Sequence, residues 1–148
     1  MENLKPRAEQ VSDRDQLWSS IRRDVAVQVE REPILASFLH ATILNHDSLE
    51  SALSFHLANK LDSAVAPALL IREVIDEALE ADPAIGAAAR ADLAAIEQRD
   101  SACHSLYEPF LFFKGFHALQ AWRVAHWLWL QNRRSLSLFV HHRISVVF

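Results

Sequence analysis

The chain has 148 residues, half of them apolar, enough for one domain with a real core, so disorder is not expected outside the termini. Two glycines are too few for the phosphate-cradling loops and nucleotide fingerprints of several enzyme classes, and a single cysteine, Cys103, excludes an intrachain disulfide and points to a cytoplasmic protein. The net charge of −4 divides unevenly: residues 1–102 hold 10 basic and 18 acidic side chains, whereas residues 103–148 hold 5 and 1. The basic charges of the second part are scattered along apolar sequence without forming a stripe, which argues against nucleic acid. Polar breaks at Lys114, His126 and Gln131 keep every apolar run short of the ~18 residues of a membrane span, and the polar N-terminus lacks the apolar core of a signal peptide.

Elements follow in order behind a flexible lead, residues 1–11. Trp18, Ile21, Val25 and Val29 recur at helical spacing and predict a first amphipathic helix. Pro33 stands where the first turn of a second helix tolerates it, and that helix is expected to run to Leu44, before Asn45-His46. Asp47 and Glu50 have the spacing of a capping box ahead of a Leu49, Leu53, Leu57, Leu61 ladder. From Ala66 to Glu80, Ile71, Val74, Ile75 and Ala78 share one face and Arg72, Glu73, Asp76, Glu77 and Glu80 the other. Asp82-Pro83 caps and opens a helix striped by Ile85, Ala89, Leu93 and Ile96. Periodicity lapses from Arg99 to Pro109, a long loop of the kind that carries function. Beyond it one apolar helix is expected, with Leu111, Gly115, Ala118, Trp122, Ala125 and Trp129 on one face and Phe112, Phe116 and Leu119 beside them, buried by the domain or by a partner. Asn132-Arg133-Arg134 breaks it, and Ser135 could cap a last helix that ends on the apolar Ile144–Phe148, which something is expected to follow or cover. With no alternating strand pattern, the expected fold is all-α, a multi-helix orthogonal or irregular bundle of about six to eight helices.

Candidate chemistry is sparse. Of the eight histidines, the pairs His40 and His46, His117 and His126, and His141 and His142 lack the spacing that aims two imidazoles at one ion, so no metal site is expected. Cys103-His104 could be a nucleophile beside its base, but adjacent side chains diverge, and an inert cysteine is the better reading. Trp122, Trp127 and Trp129 could stack a ligand, though aromatics at helical spacing are more often core or interface. Asp76, Glu77 and Glu80 lie on a solvated face. Asp100 begins the long loop, where a carboxylate can meet a ligand, although a capping or surface role leads on the residues alone.

Taken together, Glu32-Pro-Ile-Leu-Ala-Ser-Phe-Leu-His-Ala-Thr42, Ser51-Ala-Leu-Ser54, Leu57-Ala-Asn-Lys60, Ile71-Arg-Glu73, Phe113-Lys-Gly-Phe-His-Ala-Leu-Gln-Ala121 and Arg123-Val-Ala-His-Trp-Leu-Trp129 resemble the N-terminal helical domain of bacterial and plant serine acetyltransferases, over nearly all of residues 12–148. The resemblance divides this domain into an acidic helical part, residues 12–100, and apolar helices, residues 109–148. It implies transfer of acetyl from acetyl-CoA to the hydroxyl of L-serine, the first step of cysteine biosynthesis. It further implies a hexamer of two trimers meeting through helical domains, inhibition by cysteine, and in many members a complex with O-acetylserine sulfhydrylase. Asp100 matches the aspartate that holds the amino-acid substrate, as a carboxylate suits an ammonium. Ser101 replaces the proline usual after that aspartate, Asn132 a common glycine and Trp122 a common tyrosine. In the family the segment resembling Ile144–Phe148 leads into a left-handed β-helix that carries the general-base histidine, the acetyl-CoA groove, the trimer contacts and the tail gripped by the sulfhydrylase. These 148 residues hold none of it. The expectation is a helical assembly domain that is inactive alone, dimeric in isolation, with no catalytic, cofactor or metal residue of its own. The alternative is a stand-alone regulatory module that assembles with full-length subunits.

Overall fold

A computed structural model of the chain describes residues 15–148; the expected flexible lead, 1–11, and the first residues of the helical domain lie outside them. The described residues are helical, without a strand. Helix α1 (Gln16–Arg31) is followed by a composite segment in which a 3₁₀ turn (Pro33–Leu35), α2 (Ala36–Leu39) and a π turn (His40–Leu44) succeed one another. Then come α3 (Leu49–Leu61), α4 (Ala68–Ala81), α5 (Pro83–Arg99), α6 (Tyr107–Phe112), α7 (Lys114–Leu130) and α8 (Arg134–Val147). The most extensive packing is between the sequence neighbours α3 and α4 and between α7 and α8, with α8 closing back onto α3. Arg143 makes that closure specific, donating to the Leu61 and Asp62 carbonyls at 3.1 and 2.9 Å, groups the end of α3 leaves unpaired.

The apolar ladders land where helical periodicity places them. Leu49, Leu53, Leu57 and Leu61 of α3 are buried, as are Trp18, Ile21 and Val25 of α1 and Ile71, Ile75 and Ala78 of α4. Asp82 accepts from the Ala84 amide at 3.1 Å with Pro83 at the first helical position. One polar node ties three elements. Arg90 of α5 meets both oxygens of Glu50 on α3 and reaches Asp15, ahead of α1, at 3.0 Å. Burial pushes the Glu50 carboxyl up, but the Arg90 hydrogen bonds and charge outweigh it and hold it below the ordinary range. A Cβ on Gly86 would stand 2.5 Å from Glu50 Oε1, so glycine is what admits this approach.

Several expectations are corrected. The α3 cap is Ser48, whose hydroxyl accepts from the Ser51 amide at 3.2 Å; Glu50 serves Arg90, so Asp47 and Glu50 form no capping box. The second helix is not one α-helix from Pro33 to Leu44, because its winding tightens at the proline and widens to an i to i+5 bond from Asn45 N–H to His40 O, 2.9 Å. Ser135 is a helical residue, and Arg133 precedes the first turn of α8. The apolar helix is also two: α6 takes Pro109 in its first turn, where a missing N–H costs nothing, and the chain breaks at Phe113, φ −88°, ψ 108°. The buried side of α7 holds Phe116, His117, Gln120, Ala121, Val124, Ala125, Trp127 and Leu128. Trp122 and Trp129, placed on one face with Ala118 and Ala125, are 44% and 43% exposed.

Asn132 adopts φ 63°, the left-handed region, and closes α7: its amide donates to Trp129 O and that of Arg133 to Leu128 O, both at 3.0 Å. This is a Schellman turn, whose left-handed residue is ordinarily glycine and sometimes asparagine.

Candidate functional site

Asp100 ends α5. Its amide bonds the Ile96 carbonyl at 2.9 Å, its φ of −99° and ψ of 108° turn the chain out of the helix, and its Oδ1 accepts from the Ala102 amide at 2.9 Å. Its carbonyl accepts from the Cys103 amide at 3.0 Å, so carboxylate and carbonyl together hold a tight turn. The side chain is exposed at a shallow, open depression whose lining includes Ile96, Arg99, Ser101, Phe113 and Phe116. The depression therefore runs from the end of α5 to the start of α7, with one carboxylate and one guanidinium on an apolar floor.

The loop after Asp100 is residues 100–106, shorter than expected because α6 already begins at Tyr107. It is pinned to the body of the domain. Cys103 and Leu106 are buried, and the Ser105 hydroxyl donates to Asp24 Oδ2 on α1 at 2.8 Å. Burial, with the Glu108 charge, pushes the Cys103 thiol up, and the thiol donates to Ser105 O. Burial and a raised pKa both disfavour the reactive thiolate.

At the other end of α6 the fold brings together two histidines that spacing could not pair. His56 of α3 and His117 of α7 are both buried, their rings edge to face at 5.0 Å. Each Nε2–H donates to a carbonyl of the last turn of α6, His56 to Leu111 at 3.0 Å and His117 to Phe110 at 2.7 Å. The break at Phe113 frees those carbonyls, and the imidazoles satisfy them. Burial first, and then the neighbouring His117, holds His56 down at about 4; burial likewise takes His117 to about 4. Both are therefore neutral structural groups at pH 7, shut away from any external hydroxyl. His46 is also buried, between Ser51 Oγ at 2.8 Å and Ala41 O at 2.9 Å. Among the described residues no cluster of histidine, cysteine or carboxylates could hold a metal, and no helix is long and apolar enough to cross a membrane.

The remaining candidates stay apart. Asp76 is paired along α4 with Arg72, Glu77 with Arg133, and Glu80 is exposed. Trp127 is buried, whereas Trp122 stacks on His126 at 4.9 Å over the groove between α5 and α7. Sequence reasoning missed the His56 and His117 pair and the Ser105 and Asp24 bond, which join residues 61 and 81 positions apart. Only the leucine ladder around His56 hinted that its ring would be interior.

Comparison with known proteins agrees with this architecture. The family model described as "Serine acetyltransferase, N-terminal" matches residues 17–121. The serine acetyltransferase of Escherichia coli K12 is 49% identical over 132 residues, 89% of this chain and 48% of that protein. Serine acetyltransferase 4 of Arabidopsis thaliana is 44% identical over 137 residues, 93% of this chain and 39% of its own length. Among solved structures, the Vibrio cholerae serine acetyltransferase superposes with a TM-score of 0.88 at 49% identity, covering 89% of this chain and 51% of the other. The Neisseria gonorrhoeae enzyme in complex with serine gives 0.87 at 45%, covering 89% and 55%. The chain thus spans about half the length of the curated relatives it matches. On sequence and fold together, the chain belongs to the serine acetyltransferase N-terminal family and is its helical domain.

Proposed function

We propose that this chain is the helical assembly domain of a serine O-acetyltransferase, the enzyme that moves acetyl from acetyl-CoA to the hydroxyl of L-serine in cysteine biosynthesis. Its one direct contribution to the substrate site is the carboxylate of Asp100. The observation that carries the reading is the exposed position of Asp100 at an open depression, in a chain whose fold matches an acetyltransferase solved with serine. A carboxylate so placed can take the ammonium of an amino acid in a charge-assisted hydrogen bond.

Hydroxyl acetylation also needs a base within hydrogen-bond reach of the hydroxyl and a groove that sets the thioester beside it. His56 and His117 are closed off and neutral, and in this reading the base and the acetyl-CoA groove come from outside this domain. A relative has been solved with CoA, and its chain is longer than the part this domain covers. The purified chain is therefore expected to release no CoA from serine and acetyl-CoA above the blank. Fusion of residues 1–148 to the remaining half of the E. coli relative is expected to be active, with Asp100→Ala raising the KM for serine by roughly tenfold or more. Activity of the isolated chain, or an unchanged KM in the fusion, refutes the proposal.

The exposed Trp122, Trp129 and Leu130 on α7 support self-association through the helical half, dimeric for the isolated chain, with the hexamer that the resemblance implies reserved for the full-length family. Light scattering decides this, a monomer at all concentrations being the contrary result. Contact with O-acetylserine sulfhydrylase would require a C-terminal segment outside these residues. The same exposed aromatics support a second reading, a module that assembles with full-length acetyltransferase subunits in the cytoplasm. Absence of co-migration with such subunits, with no change in their activity, removes it.

A further inference from the structure

We propose that Ser105 and Asp24 are positioning residues for Asp100, their hydrogen bond fixing the turn that presents its carboxylate; this rests on the reading of Asp100 as the amino-acid contact. The turn is locally weak. It is held by Asp100 Oδ1 to the Ala102 amide, 2.9 Å, and Asp100 O to the Cys103 amide, 3.0 Å, and residues 100–102 are exposed to competing water. The Asp100 amide, bonded to Ile96 O at 2.9 Å, joins the start of the turn to the end of α5, but nothing in these bonds relates its far side to the rest of the domain. That relation comes three residues on, where Ser105 Oγ–H donates to Asp24 Oδ2 at 2.8 Å across 81 positions of sequence, half-buried and flanked by buried Cys103 and Leu106. A hydroxyl bonded to a carboxylate is among the stronger side-chain hydrogen bonds. Asp24 stands on α1, whose Ile21 and Val25 are wholly buried, so the loop is referred to the core and not to another loop.

The backbone at Asp100 supplies an independent lever. Its φ of −99° and ψ of 108° are extended, close to the region that a following proline favours, and the Ser101 amide makes no hydrogen bond among the described residues. Ser101→Pro should therefore stiffen the turn locally and reduce its need for the tether.

Amide exchange in residues 1–148, followed by NMR, is the first test. Ser105→Ala and Asp24→Ala are each expected to speed exchange of the Ala102 and Cys103 amides by about tenfold. Asp24→Asn keeps an acceptor oxygen and Ser105→Thr a hydroxyl, and both should stay close to the parent. Ser101→Pro in the Ser105→Ala background should recover most of the loss. Unchanged exchange in both alanine variants overturns the tether.

The second test is the KM for serine in the fusion with the E. coli half, expected to rise roughly three- to tenfold in Ser105→Ala with kcat held within about twofold. If Asp100→Ala raises KM and Ser105→Ala does not, the positioning role is overturned while the Asp100 contact stands. If neither moves KM, it is the contact itself that fails, whatever the exchange rates show.

Discussion

The two ends of α6 treat polar groups in opposite ways. At its C-terminal end, two imidazoles are sealed in the interior and spend their Nε2–H groups on the chain's own carbonyls. Before its N-terminal end, Asp100 keeps its carboxylate exposed, with one oxygen bonded to a single amide. The first arrangement completes a helix terminus and leaves no chemistry over. The second leaves charge facing water, where a ligand can replace solvent. Histidines attract attention as catalytic residues, yet here the carboxylate is the exposed group, and it is the one the proposed function assigns to the substrate.

Acid is the sharpest way to break this contrast. His56 and His117 titrate near 4 in the folded chain, against about 6.5 in an unfolded one. Between those values the unfolded state binds more protons, so the contribution of the pair to stability must fall as pH drops from about 6.5 to about 4 and level off below, where the loss of the Glu50 ion pair takes over. The loss should reach up to about 3 kcal/mol for each histidine at pH 4, less the coupling between them. Urea unfolding at several pH values measures it, and in His56→Gln the proton uptake on unfolding near pH 5 should fall by about one. A flat profile across that range would show that the pair is hydrated and charged.

Next in size is Phe110, fully buried with Trp18 at 5.9 Å, Phe116 at 6.2 Å and the His56 ring stacked at 6.0 Å. Phe110→Ala should cost about 3–5 kcal/mol in denaturant unfolding. It should also raise the apparent pKa of His56 as water enters. At the exposed end the effects are small. Ser101→Pro is expected to stabilise by about 0.4–1 kcal/mol, since the backbone before it is extended, close to what a proline favours, and the Ser101 amide has no hydrogen bond to lose. Asp100→Ala should change stability by no more than about 0.5 kcal/mol, because it removes one solvent-exposed turn bond. A larger destabilisation by Asp100→Ala would make the residue a structural cap and erase the difference between the two ends.

Much of the architecture could be read from residue order. The α3 ladder, the two-faced α4 and the Asp82-Pro83 start of α5 depend on local periodicity and capping, and each is found where expected. Asp100 was likewise legible, because a failing helical period and a polar stretch are local signals. Other features depend on what arrives from elsewhere. Whether Glu50 closes a capping box or answers Arg90 turns on a helix 40 positions away, where Gly86 leaves room for its carboxylate. The break at Phe113 was hidden because a single Lys114 fits a helix as readily as a helix boundary, and apolar residues recur at helical spacing on both sides of it.

What the sequence by itself determined is the all-α class, the helix faces of α1 and α3 to α5, the family and the candidate carboxylate, since all follow from short-range pattern and ordered motifs. Tertiary structure alone decided which tryptophans of α7 face water, that His56 and His117 meet, and that Ser105 ties the Asp100 loop to α1. The physical reason is common to all three. Helical periodicity fixes the angle of a side chain about its own axis, whereas contacts between helices depend on their crossing and register, which are set by the joint packing of the whole core.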